Sequence, residues 1–196
     1  MFLNRPEEDA EVVRLYEQDA ADMGFVMNLT GVWAWRPEVM KAFTALRTLL
    51  TSKSSLTARE QAVIVSATVA SIECAYCSLA WGTRLAGLAG AEAAAAVLQD
   101  QSPDALTGRE AALAAWARKV VVDANATTRQ DVEDLRRAGF SEREIFEATA
   151  LIGFRIAFSK INDALGAQPD PQLAEAAPPQ VRHSVNFGRP VGQHLP

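Results

Sequence analysis

Residues 56–62 read LTAREQA and contain a signal for the start of a helix, a threonine followed three residues later by a glutamate. In such a capping box the Thr57 hydroxyl accepts a hydrogen bond from the main-chain N–H of Glu60, and the Glu60 carboxylate accepts one from the N–H of Thr57. The pattern recurs at Thr107 and at Ser141, and each copy precedes an apolar stretch with helical spacing. Three capped starts of this kind predict a helical protein.

Turn residues and apolar periodicity around these starts predict eight helices, with no strand–turn–strand signal between them. The expected ranges are 6–23, 37–52, 57–71, a helix that carries both cysteines and ends at 88, 91–99, 109–123, 129–138 and 142–165. A chain of 196 residues suits one hydrophobic core. We therefore expect an all-α, single-domain helical bundle over residues 1–167.

Residues 168–196 differ from the bundle in composition, because six of the nine prolines follow Gly166. Proline cannot continue the interior of a helix, so we expect an extended C-terminal tail. Such a tail lies either on the surface of its own chain or across an oligomer interface, and the sequence leaves both open.

The composition excludes several classes of protein. A formal net charge of −5 argues against a nucleic-acid partner, which would require a basic surface. No apolar run reaches the ~20 residues that span a bilayer, so we expect no membrane insertion. Residues 1–9 lack a basic head followed by an apolar run, and we therefore expect no secretory signal and a cytoplasmic location.

The chemistry of the sequence is concentrated in one C-x-x-C motif, formed by the only two cysteines, Cys74 and Cys77. Cysteines three residues apart on a helix face the same side, at a separation close to the window that permits a disulfide. A thiol at a helix N-terminus is favoured as the thiolate, which is the nucleophilic form. The pair therefore suits attack on a peroxide oxygen or a disulfide, followed by closure of an internal disulfide.

Other roles for the cysteines remain open at this point. The pair can pack as small apolar side chains in the core. A zinc site would need His183 and His194 as its remaining ligands, and both lie in the remote tail. A thioredoxin-type site requires a strand–helix junction, which the sequence does not predict. We expect neither a metal nor a bound cofactor.

Several segments, taken in order, resemble the alkylhydroperoxidase D-like proteins of the carboxymuconolactone decarboxylase superfamily, and most of all its peroxidase-related branch. The resemblance implies an all-helical fold, homo-oligomers and reduction of peroxides through the cysteine pair. It covers roughly residues 10–167 and is carried by residues 24–29 (GFVMNL), 36–39 (RPEV), 56–60 (LTARE), 74–77 (CAYC), 131–141 (DVEDLRRAGFS) and 162–166 (NDALG).

The resemblance also implies roles for the cysteines. Cys77 matches the residue that attacks the peroxide, and Cys74 matches its resolving partner. The family pattern places a histidine four residues after the second cysteine and a glutamate twelve residues before the first, and together they activate the thiol. This chain has Trp81 and Ala62 at those positions. An indole N–H cannot accept the thiol proton, and alanine can neither donate nor accept a proton.

Four residues are candidates for lining the site. Trp81 would cover the cysteines with an apolar surface, and Arg84, seven residues after Cys77, would add positive potential from the same face. Glu60 lies two positions before the expected glutamate, although capping of its own helix competes for it. Tyr76 adjoins the pair, but its phenol is a poor base near neutral pH.

The sequence thus predicts a thiol-dependent peroxidase that takes a small organic hydroperoxide and is reduced again by a thiol or protein reductant of unknown identity. A non-catalytic oligomeric member of the superfamily is the first alternative, and a lactone decarboxylase-like enzyme is the second. All three interpretations are expected to involve a homo-oligomer.

Overall fold

The computed structural model describes residues 1–101 and 104–193, which form eleven α-helices and one short 3-10 helix with no strand. This confirms the predicted all-α fold. In chain order the elements are α1 (Ala10–Met23), α2 (Asn28–Trp33), α3 (Pro37–Ser52), α4 (Ala58–Ser71), α5 (Ala75–Ala89), α6 (Ala91–Leu98), α7 (Gly108–Asp123), the 3-10 helix (Ala124–Ala126), α8 (Arg129–Arg137), α9 (Glu142–Ala164), α10 (Pro171–Ala176) and α11 (Pro179–Ser184).

The predicted capping boxes begin α4, α7 and α9, where both hydrogen bonds of each box are present. A fourth box, between Thr128 and Asp131, begins α8 and was not predicted because aspartate replaces the usual glutamate. A capping side chain of this kind stabilises its helix by about 0.5–2 kcal/mol. The local sequence therefore determines where these four helices begin.

The capping glutamates of α4 and α7 also join the two helices. Arg59 pairs with Glu110 at 2.6 Å, and Arg109 pairs with Glu60 at 2.9 Å, so that each helix supplies the cation for the other helix's cap. The two similar helix starts, 50 residues apart in the sequence, thus form one reciprocal contact.

Helix α4 is the centre of the bundle, and residues 62–69 are buried without exception. It packs against α5, α6, α7 and α9, as expected for a helix that is apolar on every side. The last turn of α4 leads into the cysteine motif, and the C-terminal half of α9 lies beside it. This arrangement brings residues about 85 positions apart in the sequence into one site.

Helix α2 was not predicted, because no side chain caps its start. Tertiary contacts hold it instead. The Trp33 indole N–H donates to Asn162 Oδ1 of α9 at 2.8 Å, and the Asn28 main-chain N–H donates to Asp170 Oδ1 at 2.8 Å. Such long-range contacts override weak local propensity and cannot be inferred from the sequence around α2.

The tail differs from the expected extended path, since α10 and α11 lie within it. Both helices begin with a proline, Pro171 and Pro179. Proline excludes a helix interior but favours the first helical position, where its missing N–H is not needed. Helix α11 packs on α5 and α6, and Val181 is fully buried there. The tail thus contributes to the core, and the division of the chain at residue 167 stays a prediction.

Within the described ranges, none of the helices combines the length and the hydropathy that crossing a bilayer requires.

Candidate active site

The turn between α4 and α5 fixes the position of both cysteines. Glu73 adopts a left-handed conformation with φ of 57°, which costs a residue with a side chain about 1–2 kcal/mol. The Cys74 N–H then donates to the Val69 carbonyl at 3.0 Å, and the Ser78 N–H donates to the Cys74 carbonyl at 2.9 Å. Cys74 is consequently the residue that precedes α5, and Cys77 lies in its first turn.

Both sulfurs are reduced and buried, and each has a polar partner from α9. Cys74 is 0% exposed and Cys77 is 3% exposed. The Cys74 thiol donates to Asp163 Oδ1 across 3.2 Å, and the Ser159 hydroxyl donates to the Cys77 sulfur across 3.2 Å. The sulfurs are therefore placed beside hydrogen-bonding groups and are not enclosed by hydrocarbon alone.

Sequence reasoning missed these partners. Arg155, Ser159 and Asp163 recur at every fourth position of α9 and so share one face of the helix. Arg155 and Ser159 are buried, and Asp163 is half-buried. A row of polar side chains on the face of a helix that turns toward the core is the signal that could have identified them.

The environment separates the acidities of the two thiols. The one proton of the Cys74 thiol has two acceptors, Asp163 and the Cys77 sulfur. Its hydrogen bond to Cys77, the positive charge of Arg155 and the hydrogen bond from Ser159 outweigh burial and the negative charge of Asp163, and lower the pKa of Cys77 to about 7. The hydrogen bond to Cys77 and burial raise the pKa of Cys74 far above its usual range. The helix dipole alone would favour ionisation of Cys74, which is nearest the start of the helix, whereas these contacts favour the thiolate at Cys77.

We expect alkylation of the reduced protein by iodoacetamide to occur in two separate pH ranges. The thiolate is the reactive form, so one thiol should react with a midpoint near pH 7, and its rate should fall as pH decreases below that value. The second thiol should react only in strongly alkaline solution. Mass spectrometry of timed samples assigns each label to its cysteine.

The matched comparison is Cys74→Ala, which removes the hydrogen-bond donor at the first cysteine. Without that hydrogen bond the Cys77 thiolate is less stabilised, and the lower midpoint should move up, toward the usual value of 9.0. A single midpoint near that value in the unmodified protein would contradict the separation of the two thiols.

Trp81 lies one turn beyond Cys77 on α5 and is half-buried. The guanidinium carbon of Arg84 is 5.2 Å from the centroid of its ring, and that of Arg155 is 5.0 Å from it. The structure thus places two of the predicted lining residues, Trp81 and Arg84, together with an arginine that the sequence analysis did not consider.

Tyr76 and Glu60 are engaged elsewhere. The Tyr76 hydroxyl donates to Asp170 Oδ2, and burial together with the negative charge of Asp170 raises the pKa of Tyr76 far above its usual value. Its hydroxyl therefore joins α5 to the tail. Glu60 caps α4 and pairs with Arg109 at the opposite end of α4 from the cysteines, about 16 Å away along the helix axis.

The tail covers the cysteine turn. Gly188 has φ of 69°, and a Cβ added to it would lie 2.9 Å from the Ala75 nitrogen, so only glycine permits this approach. The neighbouring Arg189 donates to the Asp163 carbonyl from Nε at 3.1 Å and from Nη2 at 2.7 Å. Residues 185–192, here called the cover segment, therefore hold both the turn and the end of α9.

In residues 1–101 and 104–193, no group of three or more His, Cys, Asp or Glu side chains is arranged to hold a metal ion. His183 is exposed at the end of α11, and His194 lies outside the described residues. A cavity of about 590 Å³ lies near the chain ends, and its lining includes Leu3, Tyr16 and Gln168 but neither cysteine.

Comparisons with protein families and with solved structures find proteins that are similar to this chain. The sequence pattern of the carboxymuconolactone decarboxylase family matches residues 37–119. A solved alkylhydroperoxidase AhpD core, a peroxidase-related protein from Ralstonia eutropha JMP134, shares 26% identity and a TM-score of 0.73, over 88% of this chain and 93% of that chain. A search of curated proteins found no match to the sequence.

Two further solved structures share the fold at lower identity. A peroxidase-related protein from Silicibacter sp. TM1040 has 23% identity and a TM-score of 0.77, over 88% of this chain and 93% of that chain. The debrominase Bmp8 has 15% identity and a TM-score of 0.72, over 90% and 92%. The family match over residues 37–119, the shared fold and the C-x-x-C motif support the resemblance of this chain to the alkylhydroperoxidase D-like proteins of the carboxymuconolactone decarboxylase superfamily.

Proposed function

We propose that this protein is a thiol-dependent peroxidase that reduces organic hydroperoxides through Cys77 and Cys74. The observation that carries the proposal is the pairing of each sulfur with its own group from α9, which leaves a thiolate at Cys77 and a proton acceptor, Asp163, at Cys74. The peroxidase-related structural neighbours support the same interpretation.

In the first step the Cys77 thiolate attacks the terminal oxygen of the hydroperoxide. The sulfur–oxygen bond forms as the oxygen–oxygen bond breaks, and the departing alkoxide takes a proton from water and leaves as the alcohol. Cys77 is oxidised to the sulfenic acid, and the peroxide is reduced by two electrons. The charge of Arg155 and the hydroxyl of Ser159 favour the starting thiolate.

In the second step the Cys74 thiol gives its proton to Asp163 Oδ1, which is 3.2 Å from the sulfur. The resulting thiolate attacks the Cys77 sulfur, the sulfur–oxygen bond breaks, and the hydroxide takes the proton back from Asp163 and leaves as water. Burial raises the pKa of Asp163 above its ordinary value, which improves the carboxylate as a proton acceptor. A carboxylate from α9 thus replaces the missing glutamate–histidine pair.

The cycle requires a reductant, since the disulfide must receive two electrons and two protons from a thiol or a dithiol protein. A cytoplasmic location, where thiols are kept reduced, stays a prediction and fits this requirement.

A homo-oligomer also stays a prediction. Helix α3 has no buried residue, and apolar side chains of α3 and α9 are exposed. A second copy of the chain covering this surface would remove them from water. They are Val39, Leu46, Leu49, Phe146, Phe154 and Ile161.

The direct test is to mix the reduced protein with excess cumene hydroperoxide and to count free thiols with time. We expect two thiols per chain to be lost and one cumyl alcohol to be formed for each pair. Cumyl alcohol in place of the hydroperoxide is the control, because it lacks the oxygen–oxygen bond. Thiols that persist for many minutes in excess peroxide would refute the proposal.

The second candidate is a non-catalytic member of the superfamily, and the near-complete burial of both sulfurs favours it. Persistent thiols together with an intact fold would then be the expected result of the same experiment.

A further inference from the structure

Two arginines from different helices lie over Trp81, and a third, from another helix, is within electrostatic reach of both. Arg47 comes from α3, Arg84 from α5 and Arg155 from α9. The guanidinium groups of Arg84 and Arg155 lie over the Trp81 ring, and Arg155 is also 5.2 Å from the centroid of Phe158. Burial lowers the pKa of Arg47, and the positive charges of Arg155 and Arg84 lower it further, so the three groups lie within electrostatic reach of one another.

The three arginines have no carboxylate partner in the described part of the chain. Within residues 1–101 and 104–193, none of the ion pairs involves Arg47, Arg84 or Arg155. Arg155 is 5% exposed, and its buried Nε has no hydrogen-bond partner. Burying a cation without a partner is costly, and neighbouring like charges increase that cost. The cost applies to Arg155, since Arg84 is exposed and Arg47 is half-buried. Such an arrangement is expected where an anionic ligand supplies the missing charge.

The cluster is also adjacent to the reactive sulfur. Trp81 follows Cys77 by one helical turn, and Arg155 precedes Ser159, the hydrogen-bond donor to Cys77, by one turn of α9. A single thiolate balances one positive charge, whereas the cluster holds three. The positive charge that the thiolate does not balance lies beside Cys77, where the rest of a bound substrate would extend.

We propose that the substrate is an organic hydroperoxide that carries a carboxylate, bound by Arg47, Arg84 and Arg155, with its apolar body against Trp81. This inference rests on the proposed peroxidase function and names its substrate class. Guanidinium groups bind a carboxylate through paired, charge-assisted hydrogen bonds, and the aromatic rings accept an apolar or aromatic body. The carboxylate would hold the peroxide group over Cys77.

The test compares two hydroperoxides that differ only in the anion, cumene hydroperoxide and its para-carboxylated derivative. Below saturation, we expect the carboxylated compound to oxidise Cys77 about tenfold faster, as one charge-assisted contact would give. The Arg47→Gln and Arg84→Gln variants should each bring the ratio of the two rate constants toward one. The control is Arg137→Gln, on the exposed face of α8, which should keep the ratio.

A binding measurement separates this inference from the peroxidase function. Calorimetry with 4-isopropylbenzoate and with 4-isopropylbenzyl alcohol requires no reaction, and we expect the benzoate to bind about tenfold more tightly, with the difference reduced in Arg84→Gln. Equal binding and equal rates would overturn the carboxylate site while leaving the peroxidase intact. Selective benzoate binding without any peroxide reduction would support the site and overturn the peroxidase.

Two further outcomes would overturn the inference. Inhibition by inorganic phosphate as strong as that by 4-isopropylbenzoate would show a general anion site that does not recognise an organic acid. The second outcome would be seen by sedimentation. If Arg84→Gln or Arg47→Gln dissociates an oligomer that Arg137→Gln leaves intact, the arginines pair with a second copy of the chain and not with a substrate.

Discussion

Replacement of Cys77 by serine is expected to lower the rate of hydroperoxide reduction by at least about 10³-fold, since loss of a nucleophile removes the reaction pathway itself. Replacement of Cys74 by serine is expected to leave one rapid turnover that stops at the sulfenic acid. The difference follows from the structure, because the pKa of Cys77 is lowered to about 7 while that of Cys74 is raised.

Stopped-flow measurement of peroxide loss and mass spectrometry after labelling with dimedone, which traps sulfenic acid, would follow both variants. Cys77→Ser should acquire no label, and Cys74→Ser should acquire one label on Cys77 and form no internal disulfide. Serine carries a hydroxyl where cysteine carries its thiol, so it is a close replacement in both buried positions. Retained activity in Cys77→Ser with a label on Cys74 would reverse the proposed roles.

The second large effect is expected at Asp163. Asp163→Asn keeps the size and the ability to accept a hydrogen bond from Cys74, but an amide cannot take up the thiol proton. Disulfide closure should slow by about 10²-fold, the lower end for loss of a general base, while formation of the sulfenic acid changes by only a few-fold. Single-turnover measurements separate the two steps.

The Asp163→Asn change is expected to leave the structure around the site in place. Arg189 donates to the main-chain carbonyl of Asp163, so the side-chain change leaves the contact with the cover segment in place. Asp134→Asn, on the exposed face of α8, is the control for removal of a carboxylate elsewhere. Disulfide closure at the normal rate in Asp163→Asn would exclude this residue as the proton acceptor.

The helices could largely be predicted because their signals are local. Thr57, Thr107 and Ser141 each form a capping box within four residues, and α3 begins and ends at the predicted Pro37 and Ser52. Helix α2 lacks such a signal and depends on contacts with residues far along the chain. The helices of the tail begin at prolines, which were interpreted only as residues that end helices.

The candidate site likewise has a part that local sequence predicts and a part that depends on the fold. Spacing alone predicted a cysteine pair at a helix start, because that relationship spans four residues. Asp163 and Ser159 are separated from their sulfur partners by 89 and 82 residues, and no local pattern specifies which helix face will meet them. Arg155 could have been recognised only from its four-residue spacing to Ser159, and its position over Trp81 required the fold.

The cover segment has a consequence for biosynthesis. Residues 185–192 follow every helix of the bundle in chain order, so they are the last of the site's components to leave the ribosome. A growing chain therefore presents its cysteine turn before Gly188 and Arg189 are available to close over it. During translation the two thiols lack this cover, and the segment can close over the cysteine turn only after it has emerged.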